Sequence, residues 1–208
     1  GIADTDSVLE IRQHYGDGMV TSFTRIEGRP VGVIANNPKH LGGAIDGPAA
    51  DKAARFMQLC QAHRLPLLSL CDTPGIMVGP AAEKNATVRH AARLFVVGAN
   101  RDVPLFGIVL RKAYGLGAMA MAGGSFKVPV HVAAWPSGET GPMGLEGAVR
   151  LGFRKELEAA ADEQARDELF EQLVAAMYEK GKATESAAAT EIDAVIDPAE
   201  TRQVILRA

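Results

Sequence analysis

The sequence lacks several features that would point directly to a chemistry. It has two cysteines, Cys60 and Cys71, each inside an apolar run, and it contains no C-x-x-C motif. Neither H-E-x-x-H nor G-x-x-x-x-G-K-[ST] occurs, and the five histidines stand singly. We therefore expect no protein metal site and no P-loop. The cysteines are expected to be buried and to act as small apolar residues.

An excess of basic charge and a long apolar run are also absent. The 22 Lys and Arg face 25 Asp and Glu, giving a net charge of −3, which argues against nucleic acid or an anionic membrane as partner. No apolar stretch has the length of a bilayer span. The first ten residues, GIADTDSVLE, are polar where a signal peptide needs an apolar block. These features predict a cytoplasmic protein without a membrane segment.

The chain of 208 residues, 47% of them hydrophobic, is typical of one folded domain. Residues 18–38 predict a hairpin with a turn at Glu27-Gly28-Arg29-Pro30. Pro48 is suited to the first turn of the next helix. Apolar residues at i, i+3, i+4 and i+7 predict one buried face for that helix, namely Ala53, Phe56, Met57 and Cys60.

Apolar strands and helices then alternate. The run LPLLSLC ends at Asp72-Thr73-Pro74-Gly75, and a helix is predicted over 82–100 with one face formed by Val88, Ala91, Ala92, Phe95 and Ala99. A strand at 103–110, a turn at 111–115, a helix at 116–124 and a strand at 128–136 follow. Because these strands do not alternate in polarity and are separated by helices, the fold is predicted to be α/β with a mainly parallel sheet.

The last third of the chain predicts helices. From Gly144 to Lys180 the composition is helical, and apolar residues form a stripe at Phe170, Leu173, Val174 and Met177.

Two strand-to-helix turns carry the strongest indication of a site: Pro74-Gly75-Ile76 and Tyr114-Gly115-Leu116-Gly117-Ala118. The start of a helix presents free backbone N–H groups that favour a negatively charged oxygen, and glycine lets such an atom approach. Two such turns together could form an oxyanion hole. The alternative is that Gly115 and Gly117 only allow close packing, and the sequence leaves both readings open.

Side chains near these turns give weaker indications. Asp72 could act as a base or could be a turn residue. The residues Glu83, Arg89 and His90 favour surface or ion-pair roles. Arg111 and Lys112 could neutralise a phosphate, although solvated charge is the simpler interpretation. Since no Ser, His and Asp arrangement is indicated, the site is expected to consist of backbone.

Five motifs in order resemble the carboxyltransferase component of biotin-dependent acyl-CoA carboxylases: GRPVGVIANNP, DTPGIMVG, RKAYGLGAMAM, AWPSGETGPMGLEGAV and IDAVIDPAETR. The similarity runs from about Gly18 to the end and corresponds to the C-terminal half of that component. It implies a crotonase-like α/β fold of repeated ββα units. Residues 1–208 would then form one C-terminal carboxyltransferase domain, with a core at about 18–152 and a helical region at about 153–208.

The resemblance implies transfer of a carboxyl group from carboxybiotin, held on a carrier protein, to the α-carbon of an acyl-CoA. The C-terminal half of the family polarises the biotin carbonyl through backbone amides, which match Leu116, Gly117 and Ala118. The neighbouring biotin-binding positions are Tyr114 and Gly115, the facing turn is Gly75 and Ile76, and the position associated with acyl-chain choice is Met119. Many relatives read AYGGAY where this chain reads AYGLGAM. Replacing Gly117 with Val is expected to abolish transfer without unfolding if the amides bind biotin.

The resemblance also implies partners: an N-terminal carboxyltransferase half, a biotin carboxyl carrier and a biotin carboxylase, in a homo-oligomer. The half that holds the acyl-CoA enolate is not recognised here, and the chain opens at Gly1 rather than Met, which favours an excised domain that is inactive alone. Two alternatives stay open, a biotin-dependent acyl-CoA decarboxylase subunit and a non-catalytic scaffold of the same fold. A hydratase or isomerase of the crotonase type is less favoured because its acidic residues are not identified.

Overall fold

The computed structural model describes residues 1–207. Within them the chain forms eight strands: β1 (Leu9–Glu10), β2 (Met19–Ile26), β3 (Arg29–Asn36), β4 (Leu67–Thr73), β5 (Leu105–Tyr114), β6 (His131–Ala134), β7 (Glu139–Gly141) and β8 (Ala194–Val195). The same residues form nine α-helices: α1 (Gly47–Ala62), α2 (Pro80–Lys84), α3 (Thr87–Ala99), α4 (Gly115–Met121), α5 (Leu145–Gly152), α6 (Arg154–Glu158), α7 (Glu163–Gly181), α8 (Ala183–Ala188) and α9 (Thr201–Arg207). Short 3-10 turns lie at Leu41–Gly43 and Pro198–Glu200.

The strands form one mixed sheet in the order β1-β2-β3-β4-β5-β6-β8, and β7 pairs with β5. The pairs β1–β2 and β2–β3 are antiparallel, whereas every pair from β3 onward is parallel. The prediction of a mainly parallel α/β sheet is therefore confirmed. The sheet also contains β1 and β8, which lie outside residues 18–152.

Each face of the sheet has its own apolar core. On one face α1, α3 and α4 contribute Met57, Leu94 and Met121 to a large cluster. On the other face Leu68 and Ile108 pack with Ile196 and Ile205 near the C-terminus. The C-terminal segment therefore covers the face that the helices following β3, β4 and β5 leave open.

The predicted hairpin is present, but its turn is shorter than predicted. Only Glu27 and Gly28 form the loop, with φ values of 49° and 78°. Two residues in this conformation match the right-handed twist of the flanking strands. Arg29 and Pro30 belong to β3, where Pro30 pairs with Arg25.

Helix α1 matches its prediction. The side chain of Asp46 accepts the N–H of Ala49 at 2.9 Å, and a proline occupies the first turn. The four residues of the predicted face, Ala53, Phe56, Met57 and Cys60, are all buried. Cys60 and Cys71 are both free thiols and are buried, as expected, and burial raises the pKa of each to about 12.

The helix predicted over 82–100 is wrong as a single element. It is broken between α2 and α3 at Ala86, which has φ 51°. The buried residues of α3 include Ala91, Leu94 and Gly98, so its buried face differs from the predicted one, and Val88 is 66% exposed. Of the predicted face, Ala91 is fully buried and Phe95 is half-buried.

The turn predicted at 111–115 is also wrong, because β5 continues to Tyr114 and α4 begins at Gly115. Arg111 and Lys112 lie within this strand because their side chains have partners on neighbouring elements. Helix α4 ends at Met121 rather than 124, and β6 is limited to His131–Ala134.

The C-terminal stripe packs as a helix–helix contact. The side chains of Phe170, Leu173, Val174 and Met177 on α7 are half-buried. Arg150 of α5 lies 4.4 Å from the centre of the Phe170 ring, in a cation–π contact. Within residues 1–207, no helix combines the length and the apolar character needed to cross a bilayer.

Candidate functional site

The loops that follow β3, β4 and β5 meet at one edge of the sheet, at the carboxyl ends of these parallel strands. The N–H of Ile45 donates to the carbonyl of Gly75 at 2.9 Å, and the N–H of Met77 donates to the carbonyl of Ile45 at 2.9 Å. The loop after β3 is thus joined to the turn after β4. This edge is where open α/β sheets usually bind ligands.

The two glycine turns predicted from the sequence are in direct contact. A Cβ on Gly117 would lie 2.6 Å from the carbonyl carbon of Gly75, and one on Gly115, whose φ is +56°, would lie 2.6 Å from the carbonyl oxygen of Pro142. Both distances are too short for a real Cβ atom. Close packing therefore requires both glycines, while approach of a ligand to the same backbone stays a prediction.

Several backbone N–H groups at this contact have no protein acceptor that the fold provides. Leu116 and Gly117 lie in the first turn of α4, where no helical carbonyl can accept their N–H groups and no side chain caps them. For Ile76, no acceptor is paired with its N–H among residues 1–207. The N–H of Gly75 is already donated to Thr73 Oγ1 at 3.1 Å, and Ala118 is the fourth helical residue, whose N–H pairs with the carbonyl of Tyr114.

The side chain of Tyr114 points into the protein. It is 4% exposed, and its hydroxyl donates to Glu139 Oε2 at 2.6 Å. Burial, followed by the hydrogen bond to Glu139, raises the pKa of Tyr114 well above its ordinary value. Of the predicted biotin-binding position, only the backbone of Tyr114 is therefore available to a ligand.

Asp72 is not a free base. It is 6% exposed, and its carboxylate accepts Arg111 Nη2 at 3.0 Å and the backbone N–H of Lys112 at 3.2 Å. The hydrogen bond to Asp72 raises the pKa of Arg111. The Nζ of Lys112 donates to the carbonyl of Gly42 at 2.6 Å. Both residues therefore have protein partners, but the Arg111 side chain is still 53% exposed, as expected for a solvated charge, whereas that of Lys112 is 24% exposed.

The helix residues considered from the sequence have surface and ion-pair roles, as expected. Glu83 and Arg89 are exposed. The Nδ1 of His90 lies 2.7 Å from Asp51 Oδ2, and Arg93 also pairs with Asp51. These groups join α1 to α3.

Exposed apolar side chains surround the two turns. Leu116 is 62% exposed and Met119 is 41% exposed. Three more lie on the adjoining loops and were missed by sequence reasoning: Leu41, Val78 and Met143. They could have been suspected as apolar residues placed in polar loops after strand ends, but only the fold brings these loops together.

The arrangement can therefore bind an oxygen atom that carries partial negative charge, through neutral backbone donors beside an apolar surface. Residues 1–207 contain no group of three or more His, Cys, Asp or Glu side chains placed to hold a metal ion. The donors do not change protonation state, so the site itself offers polarisation rather than proton transfer.

A family model described as Carboxyl transferase domain matches residues 1–208. The methylmalonyl-CoA carboxyltransferase 12S subunit of Propionibacterium freudenreichii subsp. shermanii is 40% identical over 210 residues, covering 100% of this chain and 39% of the relative. The alpha subunit of methylmalonyl-CoA decarboxylase from Propionigenium modestum is 35% identical, covering 100% of this chain and 40% of the relative.

Solved structures agree with these relatives. A single-chain, multi-domain long-chain acyl-CoA carboxylase superposes with a TM-score of 0.89 and 57% identity, over 99% of this chain and 20% of that chain. The hexameric transcarboxylase 12S, solved with methylmalonyl-CoA and methylmalonic acid bound, gives a TM-score of 0.90 at 37% identity, over 98% of this chain and 39% of that chain. The crotonase-like fold is confirmed by these matches. The chain spans about two fifths of the curated relatives' length.

Proposed function

The chain belongs to the carboxyl transferase domain family, and from this membership we propose that it is the C-terminal half of an acyl-CoA carboxyltransferase. In this proposal the intact protein moves a carboxyl group from carboxybiotin to the α-carbon of an acyl-CoA. The division into a core at about 18–152 and a helical region at about 153–208 is part of the same proposal.

One observation carries the proposal: the turn at Gly75 packs on the turn at Gly117, and N–H groups of both turns lack a protein acceptor. Among the matched donors, Leu116 and Gly117 have free N–H groups, and Ile76 supplies another from the facing turn. A urea carbonyl is a strong acceptor that suits neutral donors of this kind. Biotin, when bound, supplies the transferable carboxyl group.

The individual residues then have distinct roles. The amides of Leu116 and Gly117 polarise the biotin carbonyl. Gly75 supplies the surface on which Gly117 packs. The resemblance also assigns Ala118 as a donor, and the helix geometry gives it the weakest claim because its N–H is used within α4. Tyr114 and Gly115 contribute backbone next to the ring.

We propose Met119 as a contact for the acyl chain, together with the exposed side chain of Leu116. Two observations favour a long acyl chain as substrate. Both side chains are exposed and apolar at the site. The relative that acts on long-chain acyl-CoA shares 57% identity, against 37% for the structure with methylmalonyl-CoA bound.

The proposed partners are an N-terminal carboxyltransferase half, which would hold the acyl-CoA, a biotin carboxyl carrier and a biotin carboxylase. A homo-oligomer is proposed because the related 12S protein is a hexamer. The cytoplasmic location stays a prediction. A decarboxylase subunit is the second candidate, favoured by the 35% identity with a methylmalonyl-CoA decarboxylase subunit over the whole chain.

The test is a carboxyl-transfer assay with a carboxybiotin carrier and acyl-CoAs of increasing chain length. The intact protein, this chain alone, and this chain mixed with its N-terminal half are compared. Activity of the intact protein and of the mixture, but not of the chain alone, is expected. Transfer of the carboxyl group from a carboxylated acyl-CoA to the uncarboxylated biotin carrier, well above the rate of forward transfer, would favour the decarboxylase. Inactivity of an intact, folded protein in both directions would favour the scaffold alternative.

A further inference from the structure

The β4–β5 ladder is interrupted directly before the candidate site. Cys71 pairs with Val109, whereas the next pair joins Thr73 to Ala113. Strand β4 advances by two residues over this interval while β5 advances by four, so β5 carries two extra residues. The extra residues lie opposite Asp72. They form a bulge that sets where β5 ends and where α4 begins.

Asp72 binds one backbone group of this bulge, the N–H of Lys112, together with the side chain of Arg111. Its Oδ1 accepts the N–H of Lys112 at 3.2 Å and Arg111 Nε at 3.4 Å, and its Oδ2 accepts Arg111 Nη2 at 3.0 Å. Its own N–H donates to Asn36 Oδ1 at 3.0 Å. Asn36, Asp72, Arg111 and Lys112 form what we call the Asp72 cluster. It joins β4 to β5 through one buried carboxylate, and it joins β3 to β4 through the backbone N–H of Asp72.

The contacts of the site depend on the register that follows the bulge. Beyond it, β5 pairs with β7, and Tyr114 lies opposite Gly141. A slip of one residue would turn the Tyr114 side chain to the other face of the sheet and would move Gly117 away from Gly75. Lys112 also fixes the loop after β3 through its bond to Gly42, and that loop holds Gly75 through Ile45.

We propose that Asp72 is a positioning residue for carboxyl transfer. Its carboxylate holds the bulge of β5 in register and so keeps the Gly117 turn against the Gly75 turn. Asp72 acts through the backbone of Lys112 and touches neither biotin nor acyl-CoA. This inference rests on the proposed function for its catalytic consequence, while its structural part can be tested without that function.

The experiment compares Asp72→Ala and Asp72→Asn in the intact protein that contains this chain. Asparagine keeps an oxygen that can accept the Lys112 N–H but loses the charge that pairs with Arg111, whereas alanine loses both. Amide hydrogen exchange is followed by mass spectrometry on peptides that cover residues 110–119, with peptides of α1 as internal reference. The kcat and KM for acyl-CoA are measured in parallel, together with the thermal unfolding midpoint.

We expect Asp72→Ala to exchange about tenfold faster over residues 110–119 and to lose roughly a hundredfold in kcat, since displacement of a reacting contact by about 1 Å can cost this much. KM for a short acyl-CoA, which does not depend on the proposed acyl-chain contacts at Leu116 and Met119, should stay within about twofold because the amides act on biotin. Asp72→Asn should lie between Asp72→Ala and the wild type in both exchange and kcat. A merely structural role would lower the unfolding midpoint without this local and graded pattern.

Asp4 provides the matched control, because it also accepts backbone N–H groups and pairs with an arginine. Asp4→Ala should lower the unfolding midpoint without changing kcat or exchange at residues 110–119. Unchanged exchange in Asp72→Ala would overturn the inference, as would faster exchange with full kcat. If the wild-type intact protein transfers no carboxyl group, the proposed function fails, and the exchange experiment still decides whether Asp72 holds the bulge.

Discussion

Asp4 and Asp72 lie at opposite ends of β3 and use the same chemistry in different surroundings. Asp4 accepts the N–H groups of Glu27 and Gly28 at 2.9 and 2.8 Å and pairs with Arg202 at 2.6 Å. It thereby joins the β2–β3 turn to the last helix. The carboxylate of Asp72 likewise combines a backbone N–H with an arginine, but it does so inside an irregular ladder.

The difference between them shows that a carboxylate bound to a backbone N–H and an arginine can stabilise the fold at one place and determine the backbone path at another. The turn beside Asp4 is a two-residue hairpin whose register the strand pairing already specifies. The segment beside Asp72 carries two extra residues, and regular pairing does not determine its path. A carboxylate at the hairpin therefore strengthens a structure that would form anyway, while a carboxylate at the bulge selects one structure among several.

The largest expected effect comes from removing one backbone N–H group at the candidate site. Leu116→Pro removes one N–H at the second position of α4, where proline is tolerated because that N–H has no helical acceptor. We expect kcat for carboxyl transfer to fall about a hundred- to a thousandfold, as for other lost oxyanion donors. Leu116→Ala keeps the N–H and should stay within about threefold of wild type with a short acyl-CoA. Equal kcat values for the two variants would show that this amide does not act in transfer.

A second pair of variants compares Gly117, in the helix that follows β5, with Gly28, in the turn between β2 and β3. Gly117→Ala places a Cβ against the Gly75 backbone, so we expect a loss of about 1–3 kcal/mol in the free energy of unfolding, together with lost transfer. At Gly28 nothing lies within 4 Å of an added Cβ, and only its φ of +78° opposes substitution. Gly28→Ala should therefore cost about 1 kcal/mol and leave transfer unchanged. Urea unfolding and the transfer assay measure both quantities.

The same contact changes what Gly117→Val can show. The sequence suggested that this substitution would distinguish ligand binding from packing. Because Gly117 lies on the backbone of Gly75, valine would disturb packing in either case. Leu116→Pro replaces it as the distinguishing variant, since the Leu116 side chain is exposed.

Local patterns predicted the parts of the fold that depend on neighbours in sequence. The face of α1 follows from the spacing of Ala53, Phe56, Met57 and Cys60, and the glycine turns follow from strand ends next to Gly75 and Gly117. The bulge could not be predicted, because it depends on a contact of Asp72 with Lys112, 40 residues later in the chain. The break at Ala86 was missed for another reason: alanine is the best helix former and gives no signal in sequence. The apolar residues Leu41, Val78 and Met143 became part of one surface only through the fold.

The smallest expected effect concerns the response of the hairpin end to acid. The backbone N–H of Gly28, followed by the hydrogen bond from Arg202, lowers the pKa of Asp4 below its ordinary value of 3.8. Since the folded pKa lies below the unfolded one, the contribution of Asp4 to stability is present above pH 3.8 and is lost as pH falls through the folded pKa. Wild type should therefore be more stable than Asp4→Asn at pH 6, and this difference should shrink at about pH 3.

Urea unfolding of both proteins at these two pH values measures the change, with Asp6→Asn as control because Asp6 is exposed and forms no hydrogen bond or ion pair within residues 1–207. A difference between wild type and Asp4→Asn that is equal at both pH values would show that the carboxylate charge does not contribute at the hairpin. The two ends of β3 would then differ in chemistry as well as in register. The alternative result is a stability difference that shrinks in acid while carboxyl transfer at pH 6 is unchanged by Asp4→Asn. It would show that the Asp4 carboxylate stabilises the hairpin only, so that of the two carboxylates only Asp72 affects catalysis.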